Sequence, residues 1–390
     1  MSQNRGIRIG IDAANIRHGG GRTHLIELLQ AADPIRDGFL EVYVWGSEET
    51  LSKLPKYHWL KKEFTSALGG SLFRRILWQK FFLGKALRDL NCDVLFVPGG
   101  SFSTNFHSIV SMSQNILPFE WRELWRYGIS LLTLKLILLR FTQTFSFRKA
   151  HGVIFLTDYA RRGVLKVTGP LNGVNRIIPH GLNPRFLISD DDFLKRTFPA
   201  NGKPIRLVYV SMIDQYKHQW HVVEAVAKVR KVSGFELQLD LIGPSYTPAL
   251  KRLNSVIAKL DPYGKWVHYH GAIDYQQLHS IYGQSNIGIW ASSCETFGLI
   301  LLEMMGAGLP ILCSDRGPMP EILGDAGLYF DPEKPENLSS TLLKLLASEE
   351  RITSLALNSY QKAKVFSWDR CAEDTFGFLR QVANLNRQAV

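Results

Sequence analysis

Residues 292–315 read SSCETFGLILLEMMGAGLPILCSD, and their pattern indicates the architecture of the chain more clearly than any other stretch. It runs from a strand end through a loop with Glu295 into an apolar helix, a glycine-rich stop and a second apolar strand. Strand, helix and strand in that order indicate a parallel α/β sheet. Phe297, Gly298 and Leu299 open the helix, where free backbone N–H groups and the helix dipole favour an anion.

A second carboxylate, Glu303, follows Glu295 by eight residues, about two helical turns, so both can border one cleft. A carboxylate can accept two hydrogen bonds from a vicinal diol, as when a protein holds a nucleotide ribose. We expect Glu303 to meet a ribose and Glu295, nearer the helix start, to face a sugar. The spacing alone equally fits an amphipathic helix with two solvated glutamates.

The same alternation of short apolar runs and helical stretches extends outward through both halves of the 390-residue chain. The predicted strands are IRIGIDA, LEVYVWG, CDVLFVP, SIVSMS and GVIFLT, then IRLVYVS, LQLDLIG, VHYHG, IGIWAS and PILCSD. Residues 185–203 contain Pro, Asp and Gly with little periodicity and predict a linker. We therefore expect an α/β protein of two domains with parallel sheets, at residues 1–185 and 204–365.

Composition places the chain in a broad class. With 45% apolar and 21% charged residues it is expected to be globular. Its four cysteines form no CxxC pair, which argues against a zinc site and a disulfide framework and favours a reducing cytoplasm. The first residues lack the apolar core of a signal peptide, so we expect no export by that route.

The net charge of +11 is confined to one half of the chain. Residues 1–200 hold 27 Lys and Arg against 16 Asp and Glu, whereas the remaining residues hold 19 of each. This asymmetry indicates either an anionic partner, such as a membrane surface, a phosphate-bearing acceptor or nucleic acid, or a merely solvated basic face. The apolar run at 128–147 is interrupted by Lys135 and Arg140, so it predicts a packed helix or one lying on a membrane rather than spanning it.

Residues 292–332 resemble the donor-binding signature E-x-FG-x-x-x-x-E of family-4 retaining glycosyltransferases with the GT-B fold, here Glu295, Phe297, Gly298 and Glu303. The resemblance implies two Rossmann-like domains with a donor cleft between them. It also implies that Glu295 and the amides at Phe297 and Gly298 meet the donor sugar, and that Glu303 meets the ribose of a nucleoside diphosphate sugar.

The likeness is strong over residues 205–332 and looser elsewhere. FSWDRCAEDTFGFL is similar to the family's terminal helix, which implies that residues 366–390 cross back to the first domain. HGGGRTH resembles its first glycine-rich loop, which implies that Gly19, Gly20 and Gly21 approach an acceptor or phosphate. A simple tight turn is the alternative, and the absence of GxGxxG argues against a dehydrogenase.

SMIDQYKHQW resembles the family segment that presents an Arg and a Lys to the donor diphosphate. Lys217 fits the Lys position, whereas Met212 stands where the Arg is expected. The resemblance therefore implies that the phosphate contacts come from Lys217, from the helix start, or from an arginine elsewhere such as Arg316 or Arg22. A solvated surface lysine is the alternative for Lys217.

Many relatives carry a His-Asp pair where this chain has Gln114 and Asn115. No general base is then expected there, since in this family the leaving diphosphate can take the acceptor proton. Gln114 and Asn115 either hydrogen-bond the acceptor or shape the loop. The histidine pairs 218/221 and 268/270 lack a third ligand, so we expect no metal site and no cofactor.

The leading hypothesis is transfer of a hexose such as mannose, with retention, from a UDP or GDP sugar to a glycan or lipid-linked acceptor. We expect this step in surface polysaccharide or lipopolysaccharide synthesis, at the inner face of the cytoplasmic membrane and without a metal. Another GT-B nucleotide-sugar enzyme such as an epimerase is the alternative. A basic nucleic-acid-binding protein is disfavoured, since no binding motif is recognisable.

Overall fold

The computed structural model describes residues 6–17, 19–196, 198 and 203–387. They form two compact units, with unit 1 drawn from Met1–Glu120, Ser130–Gly181 and Ser367–Val390, and unit 2 from Trp121–Ile129 and Leu182–Phe366. Five residues of the predicted linker, 197 and 199–202, lie outside the described part of the chain.

All strand pairings within the two sheets are parallel. In chain order the strands are β1 (Ile7–Asp12), β2 (Phe39–Gly46), β3 (Leu60–Phe64), β4 (Val94–Val97), β5 (Ile109–Ser113), β6 (Gly152–Phe155), β7 (Val174–Ile177), β8 (Ile205–Val210), β9 (Leu237–Ile242), β10 (Val267–Tyr269), β11 (Ile287–Trp290), β12 (Ile311–Ser314) and β13 (Gly327–Phe330).

Helices lie in the connections between successive strands except that between β4 and β5, where residues 98–108 form an irregular segment. They are α1 (Gly19–Ala31), α2 (Glu48–Ser52), α3 (Ser66–Gly69), α4 (Leu72–Trp78), α5 (Gly84–Asp89), α6 (Trp121–Leu124), α7 (Leu131–Lys149), α8 (Asp158–Thr168), α9 (Asp190–Leu194), α10 (Gln219–Ser233), α11 (Thr247–Leu260), α12 (Leu278–Gln284), α13 (Leu299–Gly306), α14 (Met319–Leu323), α15 (Pro335–Leu346), α16 (Glu349–Ala363) and α17 (Trp368–Arg387). A π-helical turn, Gln79–Leu83, joins α4 to α5.

Unit 1 is built on a seven-stranded sheet in the order β3-β2-β1-β4-β5-β6-β7. The central strands are buried on both faces, which explains why they read as continuous apolar runs. The terminal helix α17 belongs to this unit and packs on α1, with the Phe376 ring edge-on to Phe39 at 5.6 Å between centroids.

Unit 2 is built on a six-stranded sheet in the order β10-β9-β8-β11-β12-β13. The predicted fold class, two parallel α/β domains of the Rossmann type, is confirmed. Sequence placed residues 121–129 in the domain at 1–185, whereas they pack into unit 2. Since this segment is short and far along the chain from unit 2, no periodicity could assign it there.

Candidate functional site

The strand order of unit 2 reverses direction at β8, which has β9 on one side and β11 on the other. In open parallel sheets, ligands bind in the crevice beyond the carboxyl ends of the two strands at such a switch point. The segment after β8 carries Lys217, and the segment after β11 carries Glu295. The topology thus brings together two residues that the sequence singled out separately.

Lys217 and Glu295 form an ion pair in which the Nζ ammonium donates to Oε1 of the carboxylate. Both side chains are largely buried. The Lys217 ammonium also lies 4.6 Å from the ring centroid of Trp290 and 5.0 Å from that of Tyr216, within cation–π range. Lys217 is therefore a shielded cation rather than a solvated surface lysine.

The segment that carries Lys217 is held by its neighbour, His218, whose φ of 54° lies in the left-handed region. His218 is fully buried, and its Nε2 lies 3.0 Å from the Oγ of Ser293 in the Glu295 segment. Burial lowers the His218 pKa to about 2, so the imidazole is neutral. A buried residue in this backbone conformation persists only where the surrounding structure holds it in place. Sequence had weighed His218 only as a metal ligand.

Ser293 connects the segment that carries Glu295 to residues 121–129 of unit 2. Its Oγ donates to Oε2 of Glu123 at 2.6 Å, and Arg126 donates to the same Glu123 oxygen at 2.7 Å. Tyr127 contributes a second link, since its hydroxyl donates to Oδ1 of Asp214 at 2.8 Å. Unit 2 therefore holds the Lys217 and Glu295 segments through a network that sequence reasoning missed.

Helix α13 starts beside Glu295, and its first turn has backbone N–H groups without intrahelical partners. Gly298, at φ 100°, precedes the first helical residue, Leu299. A Cβ at Gly298 would stand 3.1 Å from Cε of Met319, so both conformation and space favour glycine. Phe297 is buried with its ring edge-on to Phe366 at 5.8 Å between centroids. The packing of Phe297 and the backbone conformation of Gly298 thus fix the loop that presents Glu295.

Glu303, within α13, is only 2% exposed. Its Oε1 accepts from the Tyr275 hydroxyl at 2.8 Å, and its Oε2 accepts from the Tyr282 hydroxyl at 3.2 Å. The alternative of a solvated glutamate is therefore wrong for Glu303. Each carboxylate oxygen has two lone pairs, so a carboxylate can accept more than one hydrogen bond at each oxygen. Tyr275 and Tyr282 went unnoticed in the sequence, although seven residues in a helical stretch bring two side chains to one face.

The cations expected to replace the missing arginine already have carboxylate partners. Met212, which stands where that arginine was expected, follows β8 and is 45% exposed. Arg316 pairs with Asp315 at 3.0 Å, and its other nitrogen pairs with a second aspartate in unit 2 at 3.1 Å. Arg22 lies in unit 1 and pairs with Glu49 at 2.7 Å. Lys217 and the start of α13 are thus two positive groups beside Glu295 in unit 2.

In unit 1 the glycine triad is not a loop, because Gly19, Gly20 and Gly21 form the first turn of α1. The Gln114 side chain lies next to this first turn, since a Cβ added to Gly21 would be 3.3 Å from Oε1 of Gln114. Asn115 accepts a hydrogen bond at Oδ1 from a backbone amide two residues on, a local turn. The structure therefore brings Gly21 and Gln114 together and gives Asn115 a loop-shaping contact.

In unit 1, His180 is buried, with its Nδ1 3.0 Å from Nδ1 of His24. Burial lowers the His24 pKa to about 3. Both rings pack on Trp368, at 5.6 Å between centroids. These contacts make His180 a core residue. Over the described ranges, no cluster of three or more His, Cys, Asp or Glu side chains is arranged to hold a metal ion.

Part of unit 2 is similar to a known protein family. Residues 190–362, which include Lys217, Glu295 and Glu303, match the family model described as Glycosyl transferases group 1. Among curated proteins, the O-antigen chain mannosyltransferase B of Escherichia coli is 33% identical over 110 residues, which make up 28% of this chain and 29% of the relative. The chain covers less than half the length of the curated relatives that it matches.

Solved structures share the fold over nearly the whole chain. A sucrose-phosphate synthase from Thermosynechococcus elongatus superposes with a TM-score of 0.76 at 17% identity, covering 97% of this chain and all of that one. The Anabaena protein HepE, solved in complex with UDP-glucose, gives a TM-score of 0.67 at 16% identity, with 98% and 100% covered. The fold is therefore GT-B.

Proposed function

We propose that this protein is a retaining glycosyltransferase that moves a hexose from a nucleoside diphosphate sugar to a glycan or a lipid-linked acceptor. The observation that carries the proposal is the Lys217–Glu295 ion pair at the switch point of unit 2, beside the start of α13, the helix that also contains the buried Glu303. The match of residues 190–362 to the group 1 glycosyltransferase model supports it.

Each group in the site has a distinct task toward the donor. Glu303, oriented by Tyr275 and Tyr282, accepts hydrogen bonds from the two ribose hydroxyls. Lys217 has three N–H donors, so its ammonium can hold Glu295 and a phosphate oxygen together. The first amides of α13 supply further donors to the diphosphate. Glu295 then faces the sugar and accepts hydrogen bonds from its hydroxyl groups.

The chemistry follows from where charge develops. The bond between the anomeric carbon and the diphosphate oxygen breaks while the acceptor oxygen bonds to that carbon on the same face. The acceptor proton passes to the departing diphosphate oxygen, so no protein base is required. The negative charge that appears on the diphosphate is stabilised by Lys217 and the helix start, the usual source of the largest rate effect. This scheme needs no divalent metal.

The acceptor proposed is a growing surface glycan on a lipid carrier, as in O-antigen synthesis, with mannose as the leading sugar. The likeness to an Escherichia coli O-antigen mannosyltransferase supports that choice. The positive charge of the first half supports an encounter with an anionic membrane at its cytoplasmic face. No helix in the described part of the chain combines the length and apolarity needed to cross a bilayer.

A thermal-shift panel of nucleotides and nucleotide sugars tests the proposal. A cognate donor at a hundred times its dissociation constant stabilises the folded state by about 2.7 kcal/mol, which raises the melting temperature measurably. We expect one nucleoside diphosphate sugar to stand out, and Glu303→Ala to reduce its shift. No stabilisation by any nucleotide sugar would contradict the proposal.

A further inference from the structure

Helix α7 carries a row of exposed apolar side chains along its whole length. Leu131, Leu134, Leu138, Phe141 and Phe145 recur at steps of three and four residues, so they form one stripe on one face of the helix. All five are more than half exposed, and Leu131 reaches 87%. A stripe of this kind normally faces a core, and contiguous exposed patches mark interaction sites.

A second exposed apolar face lies on the continuous helical stretch α4, the π-helical turn and α5. Its members are large aliphatic and aromatic side chains, Phe73 being 70% exposed. They are Leu72, Phe73, Ile76, Leu77, Phe81 and Phe82. We call these six residues together with the five of α7 the apolar face of unit 1.

The two helical stretches lie on the same side of the sheet. The connections β3 to β4 and β5 to β6 both run in the same direction across the strand order, and right-handed crossovers then place their helices on one face. Both stretches also touch the segment after β4. Ser146 of α7 accepts from the Phe102 amide at 3.2 Å, and a Cβ on Gly84 of α5 would lie 3.2 Å from Oγ1 of Thr104.

Cations accompany this apolar face. The Lys80 ammonium lies 5.5 Å from the Phe81 ring centroid, and the Lys149 ammonium lies 5.9 Å from that of Phe145. Helix α7 has no acidic residue, and residues 72–89 have only the terminal Asp89. Apolar side chains next to Lys and Arg with almost no carboxylates are the pattern of a helix that lies in a lipid interface.

We propose that the apolar face of unit 1 docks on an anionic lipid surface, with its Leu and Phe side chains among the acyl chains and its Lys and Arg at the headgroups. The purpose of such docking rests on the proposed function, because a lipid-linked acceptor is presented at that surface. A second copy of this chain is a poorer occupant, since a symmetric contact would bring these cations against one another.

Vesicle flotation of the full chain tests the proposal without any donor or acceptor. We expect binding to vesicles of 30% phosphatidylglycerol in phosphatidylcholine. A change to 0.5 M salt weakens this binding but does not abolish it, because salt screens the charges and not the apolar contact.

The variant Leu138→Ser, Phe141→Ser, Phe145→Ser should bind about tenfold more weakly. The matched control is Val232→Ser, Tyr263→Ser, Leu357→Ser, at exposed positions of unit 2, and it should bind as wild type.

A labelling experiment reports insertion itself. All four native cysteines are buried, so a cysteine introduced by Phe141→Cys can be labelled selectively with an environment-sensitive dye. Its emission should shift to the blue on these vesicles, whereas a dye on Val232→Cys should not respond.

Charge reversal by Lys80→Glu with Lys135→Glu provides a variant that keeps the apolar residues, and it should lose most of the vesicle binding.

Three results would overturn the proposal. They are no vesicle binding by wild type, unchanged binding by the triple serine variant, and a dimer of wild type in light scattering that this variant abolishes. The donor-induced thermal shift, measured on the same proteins, separates the two claims. Vesicle binding without any donor shift would contradict only the proposed function, and a donor shift without vesicle binding would contradict only the docking surface.

Discussion

Lys217 and Glu295 meet as an ion pair, although they are 78 positions apart in the sequence, because β8 and β11 are neighbours in the sheet of unit 2. Each residue therefore depends on the other for its position. Removing Lys217 leaves a carboxylate without its cation, and removing Glu295 leaves a shielded cation without its carboxylate, which costs more than a surface pair would.

The first prediction concerns this pair. Lys217→Ala should lower turnover by about a hundred- to a thousandfold, since it removes a cation that stabilises the leaving diphosphate. Glu295→Ala should chiefly lower turnover as well, and the double variant should lose less than the product of the two single losses, since the residues act together. Steady-state kinetics of the three variants checks this. Strictly multiplicative effects would indicate that the pair does not act as a unit.

The second prediction separates donor binding from turnover. Glu303→Ala should weaken the donor by about 2 to 3 kcal/mol, roughly thirty- to a hundredfold or more, by losing two ribose contacts. Tyr275→Phe keeps the carboxylate and removes one donor to it, so it should cost about tenfold or less. Calorimetric titration with the cognate nucleotide sugar compares them. Unchanged affinity in Glu303→Ala would remove this residue from the donor site.

Much of the fold followed from sequence because the buried strands of parallel sheets read as apolar runs. Strands β3, β7 and β13 were not predicted, since LKKEF and VNRI are polar and GLYF is short and begins with glycine. Glu295 was correctly placed in a loop before a helix. The Lys217–Glu295 contact and the tyrosines around Glu303 required tertiary structure, because no spacing rule relates residues on different connections.

The third prediction uses two glycines with opposite environments. Gly298→Ala should perturb the start of α13 and reduce donor affinity, because φ is 100° and the new Cβ would press on Met319. Gly283→Ala is the matched control, since it lies in α12 with nothing within 4 Å of its Cβ position. It should stabilise the fold by about 0.5–1 kcal/mol and leave donor binding intact. Equal donor affinity in both variants would show that the helix start is not a binding element.

The fourth prediction is a pH dependence of stability. The pKa of His218 is about 2 in the folded protein and about 6.5 when unfolded, so acid protonates the unfolded state first. The contribution of the neutral His218 to the free energy of unfolding is fully present above pH 6.5. It is lost as pH falls, by about 2 kcal/mol between pH 7 and pH 5. His218→Asn, which tolerates the left-handed conformation, should show a smaller loss. Urea unfolding at both pH values measures it, and identical losses would contradict the buried, neutral His218.

The most direct test of the account is a transfer reaction with the cognate donor in excess chelator, with the anomeric configuration of the product read by NMR. Lys217 and the start of α13 are proposed to stabilise the leaving diphosphate, and transfer is proposed to occur on the face that it leaves. We therefore predict full activity without divalent metal and a product with the donor's anomeric configuration. Loss of activity in chelator that added metal restores, or an inverted product, would contradict the mechanism.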